Sequence, residues 1–164
     1  MIKMKMMVIL LALWFAGCKD YFVNEGLPDP VFKGNMWDFF RNDEENWGLY
    51  CQLISRAGLE DLFRGNDVVY PQITVFAPTN QSIYQYLLKT LDDAGERLYQ
   101  RVEDIPQELC RVLVLSYVVA GRLEKSSFDY EVAGTMEGGT LVETLRGQEL
   151  RVYRTKSPAE GIPD

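Results

Sequence analysis

The side chains able to do chemistry in this 164-residue chain are carboxylates and three thiols, Cys18, Cys51 and Cys110; histidine is absent. Without it, Ser-His-Asp and Cys-His catalysis cannot be built in their usual form, and the commonest metal ligand is missing. Carboxylates adjoin one another at Asp43-Glu44-Glu45, Glu60-Asp61 and Asp92-Asp93. Sequence neighbours diverge on a helix, where converging pairs stand three or four positions apart. The clusters therefore read as solvated surface, with a glycosidase pair or a calcium site as the competing reading. Gly134, Gly138 and Gly139 lack the Gly-Lys-Ser/Thr ending of a phosphate loop. Neither Cys51 nor Cys110 lies in a C-x-x-C pair, which gives zinc or redox chemistry little support. No metal and no cofactor is expected.

The elements that must position these groups are legible from periodicity. Trp47, Tyr50, Cys51 and Ile54 recur at i, i+3, i+4, i+7, the face of a helix. Leu59, Leu62 and Phe63 continue as a second short helix after Gly58, and Gly65-Asn66-Asp67 is a turn. Ile73-Thr74-Val75-Phe76 suits a pleated strand. Pro78 cannot donate to a ladder, so that strand stops there, and Thr79 or Asn80 caps a new helix. Its stripe is Tyr84, Leu87, Leu88 and Leu91. Asn80-Gln81-Ser82 has the form of a glycosylation acceptor but reads as local hydrogen bonding at the cap. Asp104 and Pro106 open a further helix with Leu109, Val112, Leu113 and Ser116 inward. Tyr117-Val118-Val119 leaves it as a strand, and Gly121-Arg122-Leu123 turns out of it. Thr140–Leu145 and Glu149–Tyr153 flank Arg146-Gly147-Gln148 as a hairpin. Helices first and paired strands last indicate an α+β fold with a small sheet or two.

Composition limits the partners. The formal charge is −7, from 17 basic and 24 acidic residues. An acidic surface repels nucleic acid and anionic headgroups, so no nucleic-acid partner is expected. Hydrophobic residues make up 47% of the chain, enough for a core in one domain. Cys51 and Cys110 stand 59 positions apart, each in an apolar helical pattern. A free cysteine there behaves as a small hydrophobe, although an exported protein could oxidise the pair. The early aromatics include Phe39, Phe40, Trp47 and Tyr50, which read as core rather than as a sugar-stacking platform. Trp37 and Tyr70, near turns, are the candidates for a contact surface, since interfaces favour aromatics.

At the N-terminus, Lys3 and Lys5 precede an apolar stretch from Met6 to Ala16. Eleven residues are too few to span a bilayer, which takes roughly 20. The pattern fits a signal peptide over residues 1–17. Phe15-Ala16-Gly17-Cys18 resembles a bacterial lipobox, with Phe15 in place of the usual Leu. The resemblance implies that Cys18 becomes the lipidated first residue, carrying palmitate among its acyl chains. Lys19 stands where an inner-membrane retention Asp would be, which implies the outer membrane of a Gram-negative cell, facing the periplasm or the outside. Cleavage removes two basic residues and no acid, taking the charge from −7 to −9. Lipid rather than a basic patch then holds the membrane. Residues 18–34, with Asn24, Gly26, Pro28, Asp29, Pro30 and Gly34, read as the lipidated cysteine and a flexible tether, and 35–164 as the domain.

Ile73–Asn80, with Thr74-Val75-Phe76-Ala77-Pro78-Thr79-Asn80 at its centre, resembles the first signature of fasciclin-like domains. Leu113–Leu123 resembles the second, and Thr140-Leu141 through Leu150-Arg151-Val152 the hairpin that follows. The resemblance implies helices packed on a small β-sheet or wedge in an extracellular adhesion and binding module without catalysis. Two departures matter. The family's Tyr-His pair falls on Ser116-Tyr117, and the Pro before Gly121 is Ala120, so the integrin contact linked to that pair in animal relatives does not carry over. Family members also continue past the hairpin, whereas Ser157–Asp164 trails off, so the last strands look missing.

The resulting expectation is a lipid-anchored cell-envelope module contacting a protein or polysaccharide. A carboxylate-dependent envelope hydrolase and a truncated, non-functional fragment are the alternatives.

Overall fold

The computed structural model describes residues 32–132, 135 and 137–155. The leader, Cys18, most of the tether, Gly134 and the last nine residues lie outside the described residues.

Among the described residues, five α-helices precede and surround two small antiparallel ribbons. Helix α1 spans Met36–Arg41, α2 Glu44–Ala57 and α3 Glu60–Arg64. Asn35 caps α1 by accepting the Asp38 N–H at 2.8 Å, and Asp43 caps α2 by accepting that of Asn46 at 3.2 Å. Gly58 ends α2 at φ 64°, a left-handed conformation that a side chain would strain and that leaves the chain free to turn into α3.

Strand β1, Ile73–Val75, pairs antiparallel with β2, Val118–Ala120, in the register Ile73–Ala120, Thr74–Val119, Val75–Val118. Between them lie α4, Asn80–Lys89, and α5, Gln107–Leu115. Strand β3, Thr140–Glu143, pairs with β4, Glu149–Val152, as the second ribbon. The ribbons are joined at one corner, where the Leu145 N–H donates to the Val118 carbonyl at 2.7 Å and Thr144 bridges Val119. The α+β class and the sheet in two small pieces agree with the sequence reading.

The core lies under α2. Tyr50, Ile54, Leu53 and Ala57 on its inner face meet Phe40, Leu62, Phe63, Ile105, Cys110, Val114 and Val118. Helix α2 packs on α1, α4 and α5 together, which makes it the hub of the domain.

Two helical stripes differ from expectation by a small rotation. On α4 the buried residues are Ile83 and Leu87; Tyr84 is 51% exposed, and Leu91 lies beyond the helix end, bridged to Arg97. On α5 they are Cys110 and Val114, with Leu109, Val112, Leu113 and Ser116 half-buried. Each helix is about three turns long. In so short a segment several rows of apolar residues satisfy the same period, and the neighbour against which the helix rests selects one.

Candidate functional site

The segment from β1 into α4 is tied to the rest of the domain by several side-chain hydrogen bonds. Thr74 donates its Oγ1 proton to the Gly121 carbonyl at 2.8 Å and accepts the Leu123 N–H at 2.8 Å. One hydroxyl therefore fixes where the chain leaves β2. The Phe76 N–H donates to the Tyr117 carbonyl at 2.9 Å, extending the ladder by one bond before Pro78 ends it. Thr79 is the N-cap of α4, its Oγ1 accepting the Ser82 N–H at 3.4 Å.

Asn80 does something the sequence did not disclose. It is the first residue inside the helix, and its carboxamide reaches across to α2. Oδ1 accepts the Leu49 N–H at 2.7 Å, while Nδ2 donates to the carbonyls of Glu44 and Glu45 at 2.9 and 2.8 Å. The expectation of local capping bonds at Asn80 is thus corrected. The cap is Thr79, and Asn80 is a tertiary clamp on another helix.

The second segment lies opposite. Ser116 ends α5 and returns its hydroxyl to the Val112 carbonyl at 2.7 Å, a local bond that leaves it no free donor. Tyr117 follows and is half exposed. Between the two segments is a half-open cavity of about 100 Å³, with Tyr50, Leu53, Pro78, Ile83, Leu113 and Tyr117 on its walls. Tyr50 is 0% exposed, and its hydroxyl has no hydrogen-bond partner among the described residues. Burial pushes this phenol far above its ordinary pKa, and the neighbouring Cys51 and Tyr117 push the same way. An unanswered buried hydroxyl costs about 1–3 kcal/mol. Sequence periodicity places Tyr50 on the core face; it carries no sign that the hydroxyl goes unpaired.

Of the two aromatics expected at a contact surface, Trp37 does not qualify. It is 6% exposed, packed into the core from α1 with the Arg64 guanidinium 5.4 Å from its ring. Its place in the first turn of an amphipathic helix outweighs its proximity to a turn. Tyr70 is 37% exposed, next to Val68 at 94% and Val69 at 69%. Asp67 holds this loop by accepting the N–H groups of Val69 and Tyr70, both at 2.9 Å.

Cys51 and Cys110 are free thiols, half-buried and buried respectively. Burial raises the pKa of both. Among the described residues, no group of three or more His, Cys, Asp or Glu side chains is placed to hold a metal ion, and no helix is long and apolar enough to cross a membrane.

A sequence model of the fasciclin domain matches residues 46–161, from within α2 to beyond β4. The chain belongs to the fasciclin family. No match is found among curated proteins or among solved structures. The fasciclin domain is generally associated with adhesion or binding. In this member the strand-to-helix hinge, the Asn80–Leu49 bond, the Thr74 bond to Gly121 and the cavity between the signature segments fall inside the matched span, while Glu44 and Glu45, the other partners of Asn80, stand just before it.

Proposed function

We propose that this chain is a lipid-anchored binding module of a Gram-negative cell envelope, tethered to the outer membrane through Cys18 and performing no catalysis. Residues 1–17 are its signal peptide and 18–34 its tether. Its partner is a protein or polysaccharide, met by the loop that carries Tyr70. The observation that supports this reading is the fasciclin match over residues 46–161, since that domain is associated with adhesion or binding. The exposed Val68-Val69-Tyr70 run supports the choice of surface, because three adjacent exposed apolar side chains held by one aspartate are a costly feature for a domain that meets only water.

The test is metabolic labelling with radioactive palmitate in a Gram-negative host, followed by fractionation of the membranes. Label should enter the full chain and follow the outer membrane. Cys18→Ala should lose it. Label that survives the substitution, or that follows the inner membrane, overturns the anchor. For the partner, a photoreactive residue placed at position 68 should give one dominant cross-linked species in cells. A smear no different from that of a photoreactive residue at the exposed Arg101 position overturns the assigned surface.

A further inference from the structure

Arg154 differs from the other described arginines. They are exposed, whereas Arg154 is half-buried. Even so, among the described residues its side chain has no ion pair and no hydrogen bond. Its guanidinium lies over the Tyr130 ring, 4.2 Å from the centroid. The ring offsets part of the cost of desolvating the cation but is no strong acceptor for its N–H groups. Nε is enclosed without a partner, which leaves the two Nη groups as the donors that a ligand can reach. The backbone holds this pair in place. The Arg154 N–H donates to the Asp129 carbonyl at 2.9 Å, and the Glu131 N–H donates to the Arg154 carbonyl at 3.1 Å. Asp129 and Glu131 stand on either side of Tyr130 in an extended run, which turns their side chains to the opposite face. A half-open pocket of about 370 Å³ is lined by Arg154, Tyr130, Lys125, Ser126 and Thr155.

We propose that this pocket binds a hexuronate unit of an acidic polysaccharide, its carboxylate taken by Arg154 and Lys125 and its hydroxyls by Ser126 and Thr155. The sign of the charge follows from the lining, which among the described residues holds two cations and no carboxylate, in a chain whose formal charge is −7. The nearest acid in sequence, Glu124, is paired with Arg122 at 3.4 Å. A guanidinium matches a carboxylate with two parallel donors. The nature of the body follows from the other walls. They supply two hydroxyl side chains and no aliphatic one, which suits a ligand rich in hydroxyls and not a fatty acid. The volume lies within the range of small-molecule sites, about 300–1,000 Å³, and exceeds what a bare carboxylate fills. The open side lets a longer sugar chain pass out. The site shares no residue with the Tyr70 loop and does not depend on the lipid anchor.

The test titrates the isotope-labelled full chain with three probes at matched ionic strength: glucuronate, glucose and acetate. Glucose keeps the ring without the charge, and acetate keeps the charge without the ring. Glucuronate should give saturable shifts at the amides of Ser126, Tyr130 and Thr155. Glucose and acetate should each bind about tenfold more weakly or worse, glucose for want of the charge-assisted bond and acetate for want of the hydroxyls. Arg154→Gln should bring glucuronate down to the level of glucose. Lys125→Gln, at an exposed side chain that cannot unfold the domain, should weaken glucuronate about threefold. A thermal melt identifies an Arg154→Gln chain that fails to fold, and the comparison of probes on the unaltered chain stands without it. Absence of saturable shifts at these amides overturns the proposal. Glucose binding as tightly as glucuronate overturns the ion contact, and acetate doing so overturns the sugar. Neither result would alter palmitate labelling at Cys18 or cross-linking from position 68, so the readings fail separately.

Discussion

Asn80 and Leu49 are joined by a 2.7 Å hydrogen bond across 31 positions of sequence, from the carboxamide oxygen of one helix to a backbone N–H in the middle of another. A residue at the start of α4 thereby sets the spacing between α4 and the central helix α2. The same carboxamide answers two α2 carbonyls, Glu44 and Glu45. Asn80→Ala should destabilise the domain by about 1–3 kcal/mol, since three backbone groups lose a partner at once. Asn80→Asp should cost at least as much, because a carboxylate would face the two carbonyls. Urea unfolding of the full chain measures this, and a loss under about 0.5 kcal/mol for Asn80→Ala would show the clamp to be idle.

Gly48 lies beside that clamp, and its backbone is ordinary helix. A Cβ there would meet the Glu44 Cβ at 3.7 Å and the Asn80 Nδ2 at 3.9 Å, both normal contacts. Gly48→Ala should therefore stabilise the protein by about 0.5–1 kcal/mol, the helix-propensity difference between the two residues. A rise in melting temperature checks it; a fall would mean that Asn80 needs the space.

Thr74 ties the two signature segments together through a hydroxyl that both donates and accepts. Thr74→Val keeps the shape and removes both bonds, leaving the Leu123 N–H unanswered in a half-buried place. A loss of about 1–3 kcal/mol is expected, with Thr74→Ser recovering most of it. Equal stability of the Val and Ser variants in denaturant titrations would contradict the role assigned to the hydroxyl.

The raised pKa of Tyr50 sets an alkaline limit on stability. Above about pH 10 the unfolded chain releases the phenolic proton while the folded chain retains it. The unfolded state then binds fewer protons, and stability falls as pH rises, by up to about 1.4 kcal/mol per pH unit from this group. Below that pH the folded and unfolded chains are both protonated there, and the contribution is flat. Tyr50→Phe should have a shallower loss between pH 10 and 11.5, seen by chemical denaturation at each pH. Parallel profiles for the two chains would refute the assignment.

The two thiols of the domain should behave differently in labelling. Cys110, on the inner face of α5, is enclosed in the core, whereas Cys51 is half-buried on α2. Burial also keeps both largely as thiols near neutral pH, which slows attack on a disulfide reagent. In a Cys18→Ala chain, one thiol should react slowly in the native state and the second only on unfolding. Finding no reactive thiol even in denaturant without reductant would mean that the pair is oxidised.

What the sequence determined by itself was local or global, and little between. The strand-to-helix turn at Ala77-Pro78-Thr79, the stop at Gly58, the Arg146-Gly147-Gln148 hairpin and the acidic charge follow from residues acting on neighbours within about four positions, or from a simple sum. Those interactions survive any tertiary arrangement, so they can be read without one. The burial of Trp37, the exposure of Tyr84 and the reach of Asn80 to Leu49 could not be read so. Each depends on which element stands opposite, and a short amphipathic helix can offer several faces. The fate of the Tyr50 hydroxyl belongs to the same class. Periodicity placed the ring inside, but whether a buried donor meets a partner depends on positions fixed to within an ångström by Phe40, Phe63 and the hinge at Pro78. Only the packed tertiary structure sets distances that fine, because a hydrogen bond is lost over less than an ångström while a hydrophobic pattern tolerates several.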